Sequence, residues 1–360
     1  MSMHLFLVSN SFPFYNGEQF LETEVQYYCS YRNLKVTVLP LSRGNGEIRK
    51  VPESLSLDQS CIIDPDINNT HRFFYLLKSM KNGFFYKEFI TEVLKDSKKV
   101  KYFISAMIRY QKYYDLFDDF IKKNEEENDI VFYTYWHNEA SYALQSLKRK
   151  YRFSLVSRIH GTDLYEEVRP QKYMPLKRHF TKEIDKIYTI TQSAKTYMYK
   201  HYGFESDVLD VSRLGVNDLC IKTKVSDSNF FHIVSCSHLV EVKQVEKIIF
   251  SIEALGKLMP QVFFKWTHIG SGPQYEYLDN MSTKRLLSLD NVENQFLGNL
   301  KNTQVYDFYK NTAIDVFLNV SKSEGVPVSI MEAMSCAIPI IAPNIGGVSD
   351  MLITGNNGVL

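Results

Sequence analysis

The segment Ser323 to Pro343, SEGVPVSIMEAMSCAIPIIAP, decides how the rest of the chain is read. It carries two carboxylates, Glu324 and Glu332, with seven residues between them. Pro327 predicts a helix start, because proline at the first helical position is pre-set for the helix and gives up no needed donor. Val328 to Glu332 is one turn, so Glu332 is expected on the same face as that N-terminus. Glu324 stays in the preceding loop beside Gly325. The N–H groups that open such a helix have no partner within it and form a ready anion site. Carboxylates accept hydrogen bonds from paired hydroxyls such as those of a ribose or hexose. One short segment therefore offers diphosphate and diol recognition together, as a nucleotide-sugar requires. The plainer reading is an amphipathic helix with Ile330, Met331 and Met334 in a core and both glutamates solvated. The strand-like IPIIAP and the tight NIGG of Asn344 to Gly347 argue against it.

The full string resembles the paired-glutamate signature of retaining glycosyltransferases of family 4, which have the two-Rossmann GT-B fold. The resemblance implies that Glu324 faces the transferred sugar. It places Gly325, Val326, Pro327 and Val328 at the diphosphate end and Glu332 on the nucleoside ribose.

Working outward, Met3 to Ser9 reads as a buried first strand, Glu18 to Tyr31 as a helix and Leu34 to Leu41 as a second strand. That is a β-α-β opening. Ile130 to Tyr135, Ser154 to Ile159 and Lys186 to Ile190 are further strands between helices. A second series runs from Phe231 through Gln261 to Ile269, Val292 to Leu297, Ala313 to Val320 and Ile338 to Ala342. Helices are expected at Val242 to Leu258 and Thr303 to Lys310. The expected architecture is α/β, two Rossmann-like halves facing one cleft: residues 1–212 for the acceptor and 213–360 for the nucleotide-sugar.

Three more stretches carry candidate chemistry. Ser157 to Asp163, SRIHGTD, ends a strand with a Gly directly after a His, which lets backbone approach a ligand closely. It resembles the family's HGxD element, which implies that His160 touches the transferred sugar or the acceptor, with Gly161 and Asp163 beside it. In SCSHLVEVK, Ser235 to Lys243, the family usually places an Arg and then, five positions on, a Lys that neutralise the leaving diphosphate. This chain keeps Lys243 and has His238 in place of the Arg. A guanidinium is a permanent bidentate fork, whereas imidazole donates one or two bonds and is charged only if its pKa is raised. Gly17, in NSFPFYNGEQF, resembles the loop that closes over donor phosphates. Gly270-Ser271-Gly272 and Phe296-Leu297-Gly298 resemble turns on the donor side and read mainly as structural.

Bulk composition narrows the class. At 360 residues the chain accommodates two cores, and 44% hydrophobic with 23% charged residues is ordinary for a globular protein. A net charge of +1 speaks against nucleic acid as a partner. Cys29, Cys61, Cys220, Cys236 and Cys336 show no CxxC spacing and read as reduced thiols. Asp64-Pro65-Asp66 reads as a turn rather than a metal pair, so no metal and no cofactor are expected, the nucleotide-sugar (UDP- or GDP-linked) being a substrate. No window reaches membrane-spanning length, and the expectation is a cytoplasmic protein. Arg72 to Lys123 interleaves doubled aromatics with Lys78, Lys81, Lys87, Lys95, Lys98, Lys99 and Lys101. It reads equally as helices with a packed aromatic core and solvated lysines, or as a face resting on an anionic membrane at the inner surface, where a lipid-linked acceptor is found.

The reading is thus a metal-independent retaining transferase acting on a glycan acceptor in polysaccharide biosynthesis. An epimerase of the same fold, or a non-catalytic nucleotide-sugar binder, stands as the alternative. Gly358-Val359-Leu360 falls within what resembles the NGxL element, after which family members usually continue with helices crossing back to the first domain. Those crossover helices are expected to be absent.

Overall fold

A computed structural model describes residues 3–15, 18, 20–44, 46–63, 69–124 and 129–360. The chain divides into two compact units, Met1–Arg213 and Leu214–Leu360.

In the first unit MHLFLVS forms β1 (Met3–Ser9), with six of its seven residues buried, the pattern of a strand covered on both faces. Phe6 and Val8 enter one hydrophobic cluster and Leu5 and Leu7 the other. Helix α1 (Leu21–Tyr28) starts later than expected, because Glu18 takes φ +36° and turns its carboxylate back into the loop. The sheet continues through β2 (Leu34–Pro40), β3 (Leu55–Leu57), β4 (Ile130–Thr134), β5 (Ser154–Ile159), β6 (Lys186–Thr189) and β7 (Leu209–Val211). Its order is β3-β2-β1-β4-β5-β6-β7, and every pairing is parallel.

Between β3 and β4 lie α2 (Asn69–Ser79), α3 (Gly83–Glu88) and the 24-residue α4 (Val100–Lys123). Phe103, Tyr110, Phe117 and Phe120 of α4 are buried against the sheet. The doubled aromatics of this stretch are therefore partly core, with Phe84 and Phe85 packed onto the same cluster. Helices α5 (Glu139–Leu147) and α6 (Gln192–Tyr197) complete the layer connections.

The second unit repeats the plan. Its strands are β8 (Phe230–Cys236), β9 (Phe263–Ile269), β10 (Val292–Phe296), β11 (Val316–Leu318), β12 (Ile340–Ile341) and β13 (Gly358–Val359). They are ordered β10-β9-β8-β11-β12-β13 and all parallel. Ile233 and Val234 again enter opposite clusters. The helices are α7 (Glu246–Leu258), α8 (Tyr275–Leu286), α9 (Asn302–Asn311) and α10 (Val328–Ser335). The expected helix from Val242 is interrupted: Glu241–Lys243 is a single 3-10 turn and Gln244 sits at φ +49°. Lys243 is thereby left on the loop beyond β8.

Candidate functional site

In a parallel sheet wound in both directions, ligands bind at the carboxyl ends of the strands, where the strand order reverses. The reversal lies between β8 and β11 in the second unit and between β1 and β4 in the first.

The second unit gathers its acidic and basic candidates there. Lys243 Nζ lies 2.6 Å from Glu324 Oε1, and Asn319 donates its amide to the same oxygen at 3.2 Å. The two loops are also stitched through backbone, the Lys322 N–H donating to the Val242 carbonyl at 2.8 Å. Glu324 is not solvated; its side chain is only 7% exposed. Gly346, at φ +50°, presses against it so closely that a Cβ there would stand 1.9 Å from the Glu324 carbonyl oxygen. The Gly347 N–H donates to the Gly325 carbonyl at 2.7 Å. The NIGG turn is thus the mould for the Glu324-Gly325 loop.

Pro327 holds the N-cap with extended ψ of 108°, so α10 begins at Val328, one position after the expected first helical residue. Its carbonyl accepts from the N–H groups of Ile330 and Met331. No side chain caps the helix, so the amides of Val328 and Ser329 are suited to an external acceptor. Glu332 sits on α10 and is buried, with the Asn302 amide donating to its Oε1. Burial pushes its carboxyl up to about 7. Cys236, at the end of β8, is pushed up to about 12 by burial and by the neighbouring Glu332, while Lys243 opposes that shift. His238 stands exposed on the loop beyond β8. A Cβ on Gly270 would stand 2.0 Å from the Ser237 carbonyl oxygen, so this glycine is required by close backbone packing.

At the first unit's reversal, Asp163 organises the rim. Its Oδ1 accepts from the His160 N–H at 2.6 Å and its Oδ2 from the His137 N–H at 2.8 Å. The ends of β4 and β5 are held together by one carboxylate. Lys177, 2% exposed, donates to the carbonyls of His137 and Asp163 from behind. Burial raises Asp163 to about 6 and lowers Lys177 to about 8, each charge opposing the other's shift. The His160 ring lies over Trp136 and Tyr135, with centroids 4.5 and 4.8 Å away. Burial, and then the Arg158 charge, hold its imidazole down to about 3, hence neutral. Both His160 ring nitrogens and the Tyr135 hydroxyl are buried without a hydrogen-bond partner among the described residues.

Residues 221–360 match the family described as Glycosyl transferases group 1. Among curated proteins, an uncharacterized glycosyltransferase of Methanocaldococcus jannaschii, MJ1178, is 27% identical over 59% of this chain and 56% of its own. The chain thus spans little more than half of that relative's length. Among solved structures, the apo form of the lipopolysaccharide outer core galactosyltransferase WaaB superposes with a TM-score of 0.67 at 15% identity. That match covers 99% of this chain and 86% of WaaB. Anabaena HepE in complex with UDP gives 0.61 at 16% identity, covering 99% and 85%. The fold is GT-B.

Within this GT-B chain, Gly17 and Asp64-Pro65-Asp66 lie outside the described residues. The neighbouring amides are nonetheless informative: the N–H groups of Asn10, Ser11 and Phe12 all donate to the Glu18 carboxylate, and Trp136 Nε1–H does so at 2.8 Å. Those three amides are already engaged. Among the described residues no cluster of three His, Cys, Asp or Glu could hold a metal, and no helix is long and apolar enough to cross a membrane. Sequence reading did not single out Tyr135, Trp136, His137, Lys177 or Asn302. The available signal was YWHN at the end of the IVFYT strand, aromatic and imidazole side chains where a doubly wound sheet places ligands.

Proposed function

We propose that the chain moves a sugar from a UDP- or GDP-linked donor to a glycan acceptor carried on a lipid, retaining the anomeric configuration, as a metal-independent family 4 enzyme of polysaccharide synthesis. The observation that carries this reading is the Lys243–Glu324 pair, 2.6 Å apart where the second sheet's order reverses. Glu324 orients the sugar, Glu332 takes the ribose hydroxyls, and Lys243 meets the leaving diphosphate together with the uncapped amides at the start of α10. The bond between the anomeric carbon and the phosphate oxygen breaks as the acceptor oxygen bonds to the same face. The acceptor proton passes to the leaving phosphate oxygen, so no strong side-chain base is needed. Preorganised charge at the developing diphosphate is the main rate-enhancing element. The neutral His160 offers one donor and one acceptor to sugar hydroxyls.

A thermal-shift panel of nucleotide-sugars tests the donor, since a ligand that binds only the folded state raises the melting temperature. UDP-sugars head the panel because HepE is held with UDP-glucose. Acceptor-dependent release of nucleoside diphosphate tests the transfer. Epimerisation without acceptor would assign the site to an epimerase, and donor binding with no release from any lipid-linked glycan would assign it to a binder.

A further inference from the structure

The excursion between β3 and β4 has two apolar sides. On the inner side Leu76, Phe84, Phe85 and Phe89 pack onto the first unit's core. On the outer side Phe73, Phe74, Leu77, Met80, Ile90 and Leu94 are exposed, Phe73 by 61% and Leu94 by 65%. Positions 73 and 77 share one face of α2, with Met80 in the turn just after it, and 86 and 90 repeat that spacing on α3 and the π turn Phe89–Val93 that continues it. Single exposed apolar residues are ordinary, but a continuous run of them marks an interaction surface.

The charges around this face are sorted by sign. Among residues 70–101 the exposed Lys, Arg, Asp and Glu side chains are Arg72, Lys81, Lys87, Lys95, Lys98 and Lys101, all cations. None of the acids of the stretch is fully exposed, and each is engaged in a local contact. Glu88 is buried on His179, Tyr173 and the Leu176 N–H. Glu92 binds Lys99 at 2.8 Å, and Asp96 caps the Lys98 N–H. A two-fold contact with a second copy would set this cationic face against itself. A sheet of phosphates over hydrocarbon complements both features.

We propose that the outer face of α2 and α3 rests on an anionic lipid bilayer, with Phe73, Leu77 and Ile90 in the headgroup–acyl boundary and Lys81, Lys87 and Lys95 on lipid phosphates. The purpose rests on the transferase reading, because a lipid-carried acceptor would be met at the same surface. The binding itself does not.

The test is co-sedimentation of the full chain, without donor or acceptor, with vesicles of phosphatidylcholine alone or mixed with phosphatidylglycerol. Binding to the mixed vesicles is expected, weakening as salt is added. Each cation removed should lower the partition coefficient about fivefold, so Lys81→Gln/Lys87→Gln/Lys95→Gln should lose on the order of a hundredfold. Phe73→Ser/Leu77→Ser/Ile90→Ser should also release the protein while its circular dichroism and melting temperature stay unchanged. Equal affinity for both vesicle types, or unchanged binding by either triple variant, overturns the proposal. So does a dimer in sedimentation velocity that the Phe73→Ser variant dissolves, which would give the face to a second copy. Vesicle binding without sugar transfer would leave this inference standing and remove the proposed activity.

Discussion

Lys243 Nζ and Glu324 Oε1 lie 2.6 Å apart, joining the loop beyond β8 to the loop beyond β11. Both side chains are tethered by the contact, and the second Glu324 oxygen accepts no bond from the described residues. Glu324→Ala should lower turnover at least about a hundredfold, the scale of losing one preorganised polar contact at a reacting centre. The stability change should be about 1 kcal/mol or less, because Lys243 is 23% exposed and can rehydrate. Steady-state kinetics beside a urea titration checks both, and unchanged turnover would remove Glu324 from the site.

Glu332 gives a pH signature. Its carboxyl is raised by burial to about 7 in the folded chain, above its ordinary value of 4.5. A raised carboxyl means the folded state holds a proton that the unfolded state has released. Stability should therefore fall as pH rises from about 4.5 to about 7 and level off above, by on the order of 3 kcal/mol. Glu332→Gln should flatten that slope, melting higher than wild type in mild alkali and equally in acid. A slope identical in both proteins would contradict the assignment.

His160 should not titrate in the physiological range, since burial holds it down to about 3. Its ring proton resonances should stay fixed between about pH 5 and pH 8, where an ordinary imidazole shifts. His160→Phe, which keeps a ring packed on Trp136, should retain the fold and lose turnover. A midpoint near neutrality, or full activity in that variant, would disprove the role.

Lys177 is expected to be structural. Removing its ammonium leaves the buried Asp163 charge with only its two backbone amide donors, and Lys177→Met should cost about 3 kcal/mol at neutral pH. The loss should shrink below about pH 6, where Asp163 takes up a proton. Denaturant titrations at the two pH values read this directly; a pH-independent loss would mean the carboxylate is not what the lysine serves.

Gly346→Ala should abolish the melting-temperature rise caused by donor and also lower intrinsic stability, because the clash is with backbone at a position of φ +50°. The added methyl would collide with the Glu324 carbonyl and displace the acidic loop from Lys243. A donor-induced shift equal to wild type would show that the loop can yield.

The strands were legible where the chain wrote continuous apolar runs between turns: β1 and β5 begin and end where the letters suggest. The edge strands β3, β7 and β13 have two or three residues each, too few to show a period, and pass unread. The acidic segment was legible because its parts are close in sequence. Asn302 on Glu332 and His137 on Asp163 were not, since those contacts join residues 30 and 26 positions apart on different elements. Lys177 was hidden for another reason. It sits in the polar string KRH, and nothing local says that the first of those cations is buried.

The knot around Glu18 has a consequence for redesign. Three successive amides and an indole converge on one side-chain oxyanion, so the protein supplies its own tenant for a cradle that could otherwise receive a free one. Shortening that residue to serine would remove the carboxylate and free three main-chain amides and one indole N–H together for another acceptor.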